Sequence, residues 1–290
     1  MKKLSTLING SFDEQAYAYA DMCRLSYWYR EGGWKKVVAY LKRNGAVKVS
    51  KIINKKTDTQ ILVVETKNKQ IIIPRGTEIK SKKDIKTDLD LYSMQWFWKR
   101  KDKKKTAEIK KLKKEMKRAG IGRVHFGVWK ATISIINDVL KKSNHGKEIV
   151  LAGHSLGNMI ANCLAVLLEL WGIDTVWGYG GARMGNLRFA RTFKRLVKRS
   201  FQFVNNNDIV PKSVLVILGF WHVTGRYYIT RKAKIRKGDI YIREMGDRFM
   251  GRFNRVPGYE GSTDHSIQKT PGGYLERLAK NAGIKLKLDK

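Results

Sequence analysis

Apolar residues follow a regular alternation through the second half of this chain. Residues 124–140 carry them at helical spacing, and 148–152 form a short branched run. Residues 156–171 return to helical spacing and 175–179 to a strand pattern; 187–199 and 201–204 repeat the pair. Helices interleaved with short buried strands predict an α/β fold with a mainly parallel central sheet flanked by helices on both faces. Upstream, residues 12–30 are rich in Ala, Tyr and Trp and hold no Gly or Pro, which predicts a helix packed on a core. The runs 47–53, 61–65 and 70–73 predict strands. Residues 227–230 and 239–243 predict a hairpin with a basic turn, 257–264 a loop and 271–282 a closing helix. No internal repeat or linker composition interrupts the pattern, so residues 1–290 read as one domain.

The strand 148–152 runs directly into Gly153-His154-Ser155-Leu156-Gly157, and a helix follows at once. The pattern G-x-S-x-G is common by itself. Between a strand and a helix it marks a turn so sharp that the serine hydroxyl projects from the sheet edge, near a helix N-terminus that favours negative charge. A serine needs a base, and the base needs an orienting acid. In hydrolases with this elbow the chain order is Ser, then Asp or Glu, then His. Only His222 and His265 follow Ser155. Asp208 sits just past the strand 201–204, where the acid is expected, and His265 lies in a later loop before the last helix. His222 precedes a strand and fits a structural or pocket role better. The bland alternatives are a turn-capping Asp208 and a surface-loop His265.

Five further blocks, together with the elbow, make the chain resemble the class 3, fungal-type lipases of the α/β-hydrolase superfamily. They are Ile73-Pro74-Arg75-Gly76-Thr77, Val124-His125-Phe126-Gly127, Tyr179 to Asn186, Asn205 to Pro211, and Asp264-His265. In the family's order they span roughly residues 60–270. The resemblance implies Ser155 as nucleophile, His265 as base and Asp208 as the acid that holds it. It implies Thr77 and Leu156 as oxyanion-hole donors, and Gly153, His154 and Gly157 as the nucleophile elbow. It implies a cofactor-independent carboxylic ester hydrolase acting on acyl lipids; separately, His125, His145, His154, His222 and His265 form no ligand pairs at zinc spacing, so no metal site is expected. Three positions depart from the family pattern: Asn158 stands where a second glycine is usual, Pro74 replaces an aromatic residue, and Gly181-Ala182 replace Ser-Pro or Ala-Pro. They put the shape of the acyl pocket in question, not the catalytic groups.

Charge adds a partner to this picture. Sixty Lys and Arg against 25 Asp and Glu give a formal net charge of +35. Such a field attracts polyanions, either an anionic membrane surface or nucleic acid. Residues 99–118 are the densest basic stretch, and Trp96-Phe97-Trp98 precede it. Ile109, Leu112, Met116 and Ala119 within it keep helical spacing. The segment 91–120 therefore reads as a basic, lid-like insertion whose aromatic end touches an anionic membrane peripherally; the plain alternative is a solvated charged loop. A nucleic-acid-binding protein on a hydrolase fold is the competing function, although no RNP block, zinc spacing or helix-turn-helix is evident. Non-specific binding to nucleic acid is expected from the charge alone.

The longest apolar segments, near 159–171 and 214–221, are shorter than the ~20 residues a transmembrane helix needs. After Lys2-Lys3, the residues Ser5, Thr6, Asn9, Gly10 and Ser11 interrupt the apolar run a signal peptide requires. The expectation is a protein that is cytoplasmic as synthesised, with non-classical export as the alternative. Cys23 and Cys163 are too few for a disulfide framework.

Overall fold

A computed structural model describes residues 2–28, 30–77, 103–169, 172–213, 219–238 and 264–288. In chain order its elements are α1 (Leu4–Leu7), α2 (Phe12–Leu25), α3 (Trp34–Arg43), β1 (Lys48–Asn54), β2 (Thr59–Glu65), β3 (Lys69–Pro74), α4 (Lys103–Ala119) and α5 (Phe126–Lys142). They continue with β4 (Glu148–His154), α6 (Leu156–Leu167), β5 (Ile173–Tyr179), α7 (Leu187–Leu196), β6 (Ser200–Asn205), α8 (Val210–Ser213), β7 (Arg226–Ile229), β8 (Ile235–Lys237) and α9 (Tyr274–Asn281). Eight strands form one sheet in simple sequence order. β1, β2 and β3 are antiparallel neighbours, β3 to β7 pair in parallel, and β7 turns back into β8. This is the α/β-hydrolase type of sheet, with its mainly parallel centre.

Side chains alternate across a strand, and β4 shows what that does here. Ile149 and Leu151 enter one apolar layer, Val150 and Ala152 the other. The first layer is closed by α5, α6, α7 and the end of α4; the second by α1, α2, α3 and α9. Strands covered on both faces must be apolar at nearly every position, which is why β2, β3 and β4 read as unbroken Val, Ile and Leu. The parallel strands all end on the same side, so the loops after β4, β5 and β6 converge there. Those loops carry Ser155, Gly180 and Asp208.

Several boundaries differ from the sequence reading. The first long helix stops at Leu25, not near 30. Its start is fixed by a capping box, in which the Ser11 hydroxyl accepts from the Glu14 N–H and the Glu14 carboxylate from the Ser11 N–H. α3 was not anticipated, because only Val37 and Leu41 of its ten residues are buried and lysines dominate its sequence. Tyr40 anchors it by donating to the buried Asp21, which also pairs with Arg24 at 2.7 Å. The strand partner of β7 is Ile235–Lys237; residues 239–243, expected in that role, lie outside the described residues, as does most of the loop 257–264.

Trp177 on β5 is packed among the aromatic rings of the second layer. It stacks on Tyr19 at 4.9 Å and meets Phe201 at 4.4 Å. Trp177→Ala is expected to cost about 3–5 kcal/mol of stability, read as a lower urea midpoint at unchanged slope. A loss below about 1 kcal/mol would mean that this layer collapses around the deletion.

Candidate active site

Ser155 occupies the head of α6 with φ 58° and ψ −126°, a conformation costly for any residue with a Cβ. Its N–H donates to the Tyr179 carbonyl at 2.9 Å, which fixes the turn against β5. The flanking glycines are required by packing. A Cβ on Gly153 would stand 2.4 Å from the Gly157 carbonyl oxygen, and one on Gly157 would stand 2.2 Å from the Pro74 carbonyl oxygen. The second contact presses the end of β3, and with it Gly76 and Thr77, against the elbow.

Asp208 and His265 meet although 57 positions separate them. His265 Nδ1 lies 3.0 Å from both carboxylate oxygens of Asp208. Asp208 is fully buried and His265 almost so. The carboxylate also accepts from the Tyr274 hydroxyl at 2.7 Å and from the Val210 N–H at 2.9 Å. Asp208 therefore does cap the turn into α8, and holds the imidazole as well. With Nδ1–H given to the carboxylate, Nε2 is left as the basic nitrogen. It is buried and makes no hydrogen bond among the described residues.

The pair sits against the turn that holds Ser155. The Cβ position of Gly180, next to Tyr179, is 2.8 Å from Asp208 Oδ2 and 3.0 Å from His265 Cε1. His154 links the two sides. Its Nε2 donates to the His265 carbonyl at 2.7 Å, and its ring lies 4.6 Å from the His265 ring. The Tyr27 hydroxyl can then donate to His154 Nδ1 at 3.3 Å. Burial, and then the neighbouring His265, push the His154 imidazole well below its ordinary pKa. It stays neutral and serves as a fixed bracket for His265.

Two loops are stitched together behind the pair. Asn205 donates to the carbonyls of Asp264 (2.7 Å) and Gly272 (2.9 Å), and Arg277 donates to Asn205 Oδ1 at 2.7 Å. Asp264 pairs with Arg277 at 2.9 Å and accepts from the Asn206 amide and the Asn207 N–H. Burial outweighs Arg277 and pushes Asp264 up to about 6. Tyr274 and Arg277 have no signal in the sequence, and Asn205 stands there only as the first residue of a family block. Tyr274 opens a helix beside apolar residues, where a tyrosine reads as core.

The remaining expected residues fall as follows. Leu156 is the first residue of α6, so its N–H is one of the unpaired donors of a helix N-terminus, beside the Ser155 side chain. Thr77 is half-buried and follows Gly76, whose Cβ position is 3.3 Å from Ser155 Cβ. His222 is apart from the Asp208–His265 pair. It lines a small polar pocket with Asn158, Asn162, Gly181 and Arg226, hydrogen-bonds to the Pro211 backbone, and is pushed well below its ordinary pKa by burial, then by Arg226 and Arg183. Trp96, Phe97 and Trp98 lie outside the described residues, as does the segment 91–102; residues 103–119 of the basic insertion form α4.

Two of the positions that depart from the family pattern lie against each other. The Asn158 side chain occupies the space beside Gly181, where a Cβ would stand 2.3 Å from its Nδ2. Asn158 is held there by Asn162, and Gln202 joins the same amide cluster. A bulkier residue at 158 thus goes with the smallest one at 181.

A strained serine between a buried strand and a helix N-terminus, next to a buried carboxylate–imidazole pair, is the arrangement of a serine hydrolase. The chain belongs to the class 3 lipase family: the model of "Lipase (class 3)" matches residues 71–217, about half its length. A secreted mono- and diacylglycerol lipase A of Penicillium cyclopium is 30% identical over 126 residues, covering 40% of this chain and 41% of that protein. The chloroplastic phospholipase A1-Igamma1 of Arabidopsis thaliana is 33% identical over 76 residues, covering 23% and 15%. Each match thus spans well under two thirds of the relative's length. Among solved structures, the Rhizomucor miehei lipase propeptide complex superposes with a TM-score of 0.58 at 18% identity, over 79% of this chain and 74% of that one, a likeness of fold.

One expectation is overturned. A cytoplasmic location was read from the interrupted apolar run after Lys2-Lys3, but the Penicillium cyclopium relative and others of its kind are named as secreted lipases. A short N-terminal pattern carries less weight than relatives matched through the catalytic region.

Tyr274→Phe removes one donor to the Asp208 carboxylate, together with the acceptor of the Asn205 N–H, and leaves the ring in place. A hydrogen bond to a charged group contributes about 1.5–3 kcal/mol, so kcat on a short soluble ester is expected to fall roughly tenfold or more. KM should change little, since Tyr274 touches no substrate. An unchanged kcat would show that Asp208 is held well enough by Val210 and His265.

Proposed function

We propose that the protein is a serine-dependent carboxylic ester hydrolase acting on acyl lipids. One observation carries this reading: the strained Ser155 at the head of α6 abuts the turn on which the buried Asp208–His265 pair rests. In this mechanism Ser155 Oγ attacks the ester carbonyl carbon while His265 Nε2 takes its proton. The N–H groups of Leu156 and Thr77 receive the oxyanion. The carbon–oxygen bond to the alcohol then breaks, and His265 delivers the proton to the departing alcohol. Water, deprotonated by His265, then attacks the acyl carbon; the bond to Ser155 Oγ breaks, and His265 returns the proton to Oγ as the fatty acid leaves. Asp208 holds the imidazole, and the imidazolium that forms, in place.

The names of the relatives, lipases of mono- and diacylglycerol and a phospholipase A1, support acyl glycerol esters as the substrate class, and the secreted lipases among them support an extracellular place of action. The charge of +35 favours phospholipid in an anionic membrane, bound peripherally, over neutral triglyceride. No helix among the described residues is long and apolar enough to cross a membrane. In this reading residues 1–290 form one hydrolase domain and 91–120 a basic, lid-like insertion. Binding to nucleic acid would be incidental, salt-dependent and blind to sequence.

Hydrolysis of p-nitrophenyl butyrate and fatty-acid release from phosphatidylglycerol vesicles test the proposal. Ser155→Ala is expected to lower both by roughly a thousandfold or more. A well-folded wild type that cleaves neither ester would overturn it.

A further inference from the structure

A basic and apolar surface stands beside the candidate site, outside the insertion 91–120. From Thr175 to Asn207 the chain holds seven Lys and Arg and no acid. Three of them, Arg188, Arg191 and Arg195, recur along α7 at a spacing of three and four, which places them in one exposed stripe. The opposite side of α7 buries Phe189 and Phe193 completely. Leu187, Arg188, Arg191, Thr192 and Arg195 line an open groove of about 500 Å³. None of these three arginines has a carboxylate partner among the described residues.

At the head of α7 the stripe meets a short extended ridge. Gly185 bridges Val124 on one side and Trp221 on the other. The Trp221 N–H donates to the Gly185 carbonyl at 2.7 Å, and Asn186 exchanges hydrogen bonds with Arg123. Alternation turns Val124 and Phe220 into the core and leaves Arg123 and Trp221 facing outward. Trp221 is 42% exposed and Leu187, two residues from Gly185, 37%. The ridge joins the site by the loop 180–186, which begins at Gly180 against Asp208 and His265.

We propose that this ridge and stripe dock the protein on an anionic phospholipid bilayer, Trp221 and Leu187 entering the headgroup layer and Arg188, Arg191 and Arg195 meeting its phosphates. The proposal rests on the ester-hydrolase reading only for its purpose, which is to bring the site to its substrate. A bilayer suits the surface because it offers apolar and anionic chemistry side by side, where tryptophan and arginine both gain. A nucleic-acid backbone would use the arginines and leave Leu187 in water. The pieces of the ridge are hydrogen-bonded to one another.

Partition onto vesicles of phosphatidylglycerol and phosphatidylcholine tests this, measured with full-length Ser155→Ala so that lipid is not consumed. Arg188→Gln/Arg191→Gln/Arg195→Gln is expected to weaken partition by at least about tenfold. Trp221→Ala should weaken it by roughly fivefold. Lys35→Gln/Lys42→Gln/Arg43→Gln removes the same charge from α3, on the opposite face of the sheet, and should weaken it less than about threefold. In the Ser155-intact protein all three variants should cleave p-nitrophenyl butyrate at the wild-type rate and keep the wild-type melting temperature. Equal losses from the two triple variants would mean bulk charge alone and overturn the proposal. So would unchanged vesicle partition with lost affinity for duplex DNA in the α7 variant, which would mark a nucleic-acid surface. An inert wild type whose partition still follows the α7 stripe would remove the hydrolase reading and leave the docking surface standing.

Discussion

Asp208 is a carboxylate with no contact to water, and the site depends on how that burial is made tolerable. An isolated buried carboxylate would protonate or unfold its surroundings. Here His265, Tyr274 and Val210 donate to it, each from a different part of the chain. The acid can stay buried only while the last helix, the loop before it and the start of α8 are in place. The same bonds set the tautomer of His265 and leave Nε2 as its basic atom. Stability of this corner and the reactivity proposed for the serine therefore share one set of contacts.

The sheet supplies the rest of the precision. Four loops and turns meet on one side because β3 to β7 run the same way. The elbow is forced into its conformation by backbone approaching from β3 and β5. Strain at Ser155 is held by elements buried on both faces, which have little freedom to yield. His154, inside the elbow itself, reaches across to the His265 carbonyl and so couples the Ser155 turn to the proposed base.

Much of this could be read from sequence, for physical reasons that differ by element. The strands β2 to β4 are unbroken branched runs because both faces are covered, and the elbow sits where strand pattern gives way to helix pattern. Asp208 and His265 followed from chain order and from a family resemblance, not from periodicity. α3 escaped because two buried residues give it too little apolar rhythm. Tyr274 escaped, and Asn205 stood only as the start of a family block, because their role arises only when residues 59 to 72 positions apart are brought together. The ridge of Arg123, Gly185 and Trp221 is likewise invisible in one dimension, since its three pieces are bridged from distant parts of the chain.

The central claim is that Ser155 is made nucleophilic by His265, itself aligned by Asp208. Inactivation by an organophosphate, followed by mass mapping of the adduct, tests this without assuming any lipid. One adduct per chain on Ser155, abolished in His265→Ala and strongly slowed in Asp208→Asn, is the predicted result. An adduct on another residue, or labelling of Ser155 at an undiminished rate without the His265 imidazole, would contradict the account.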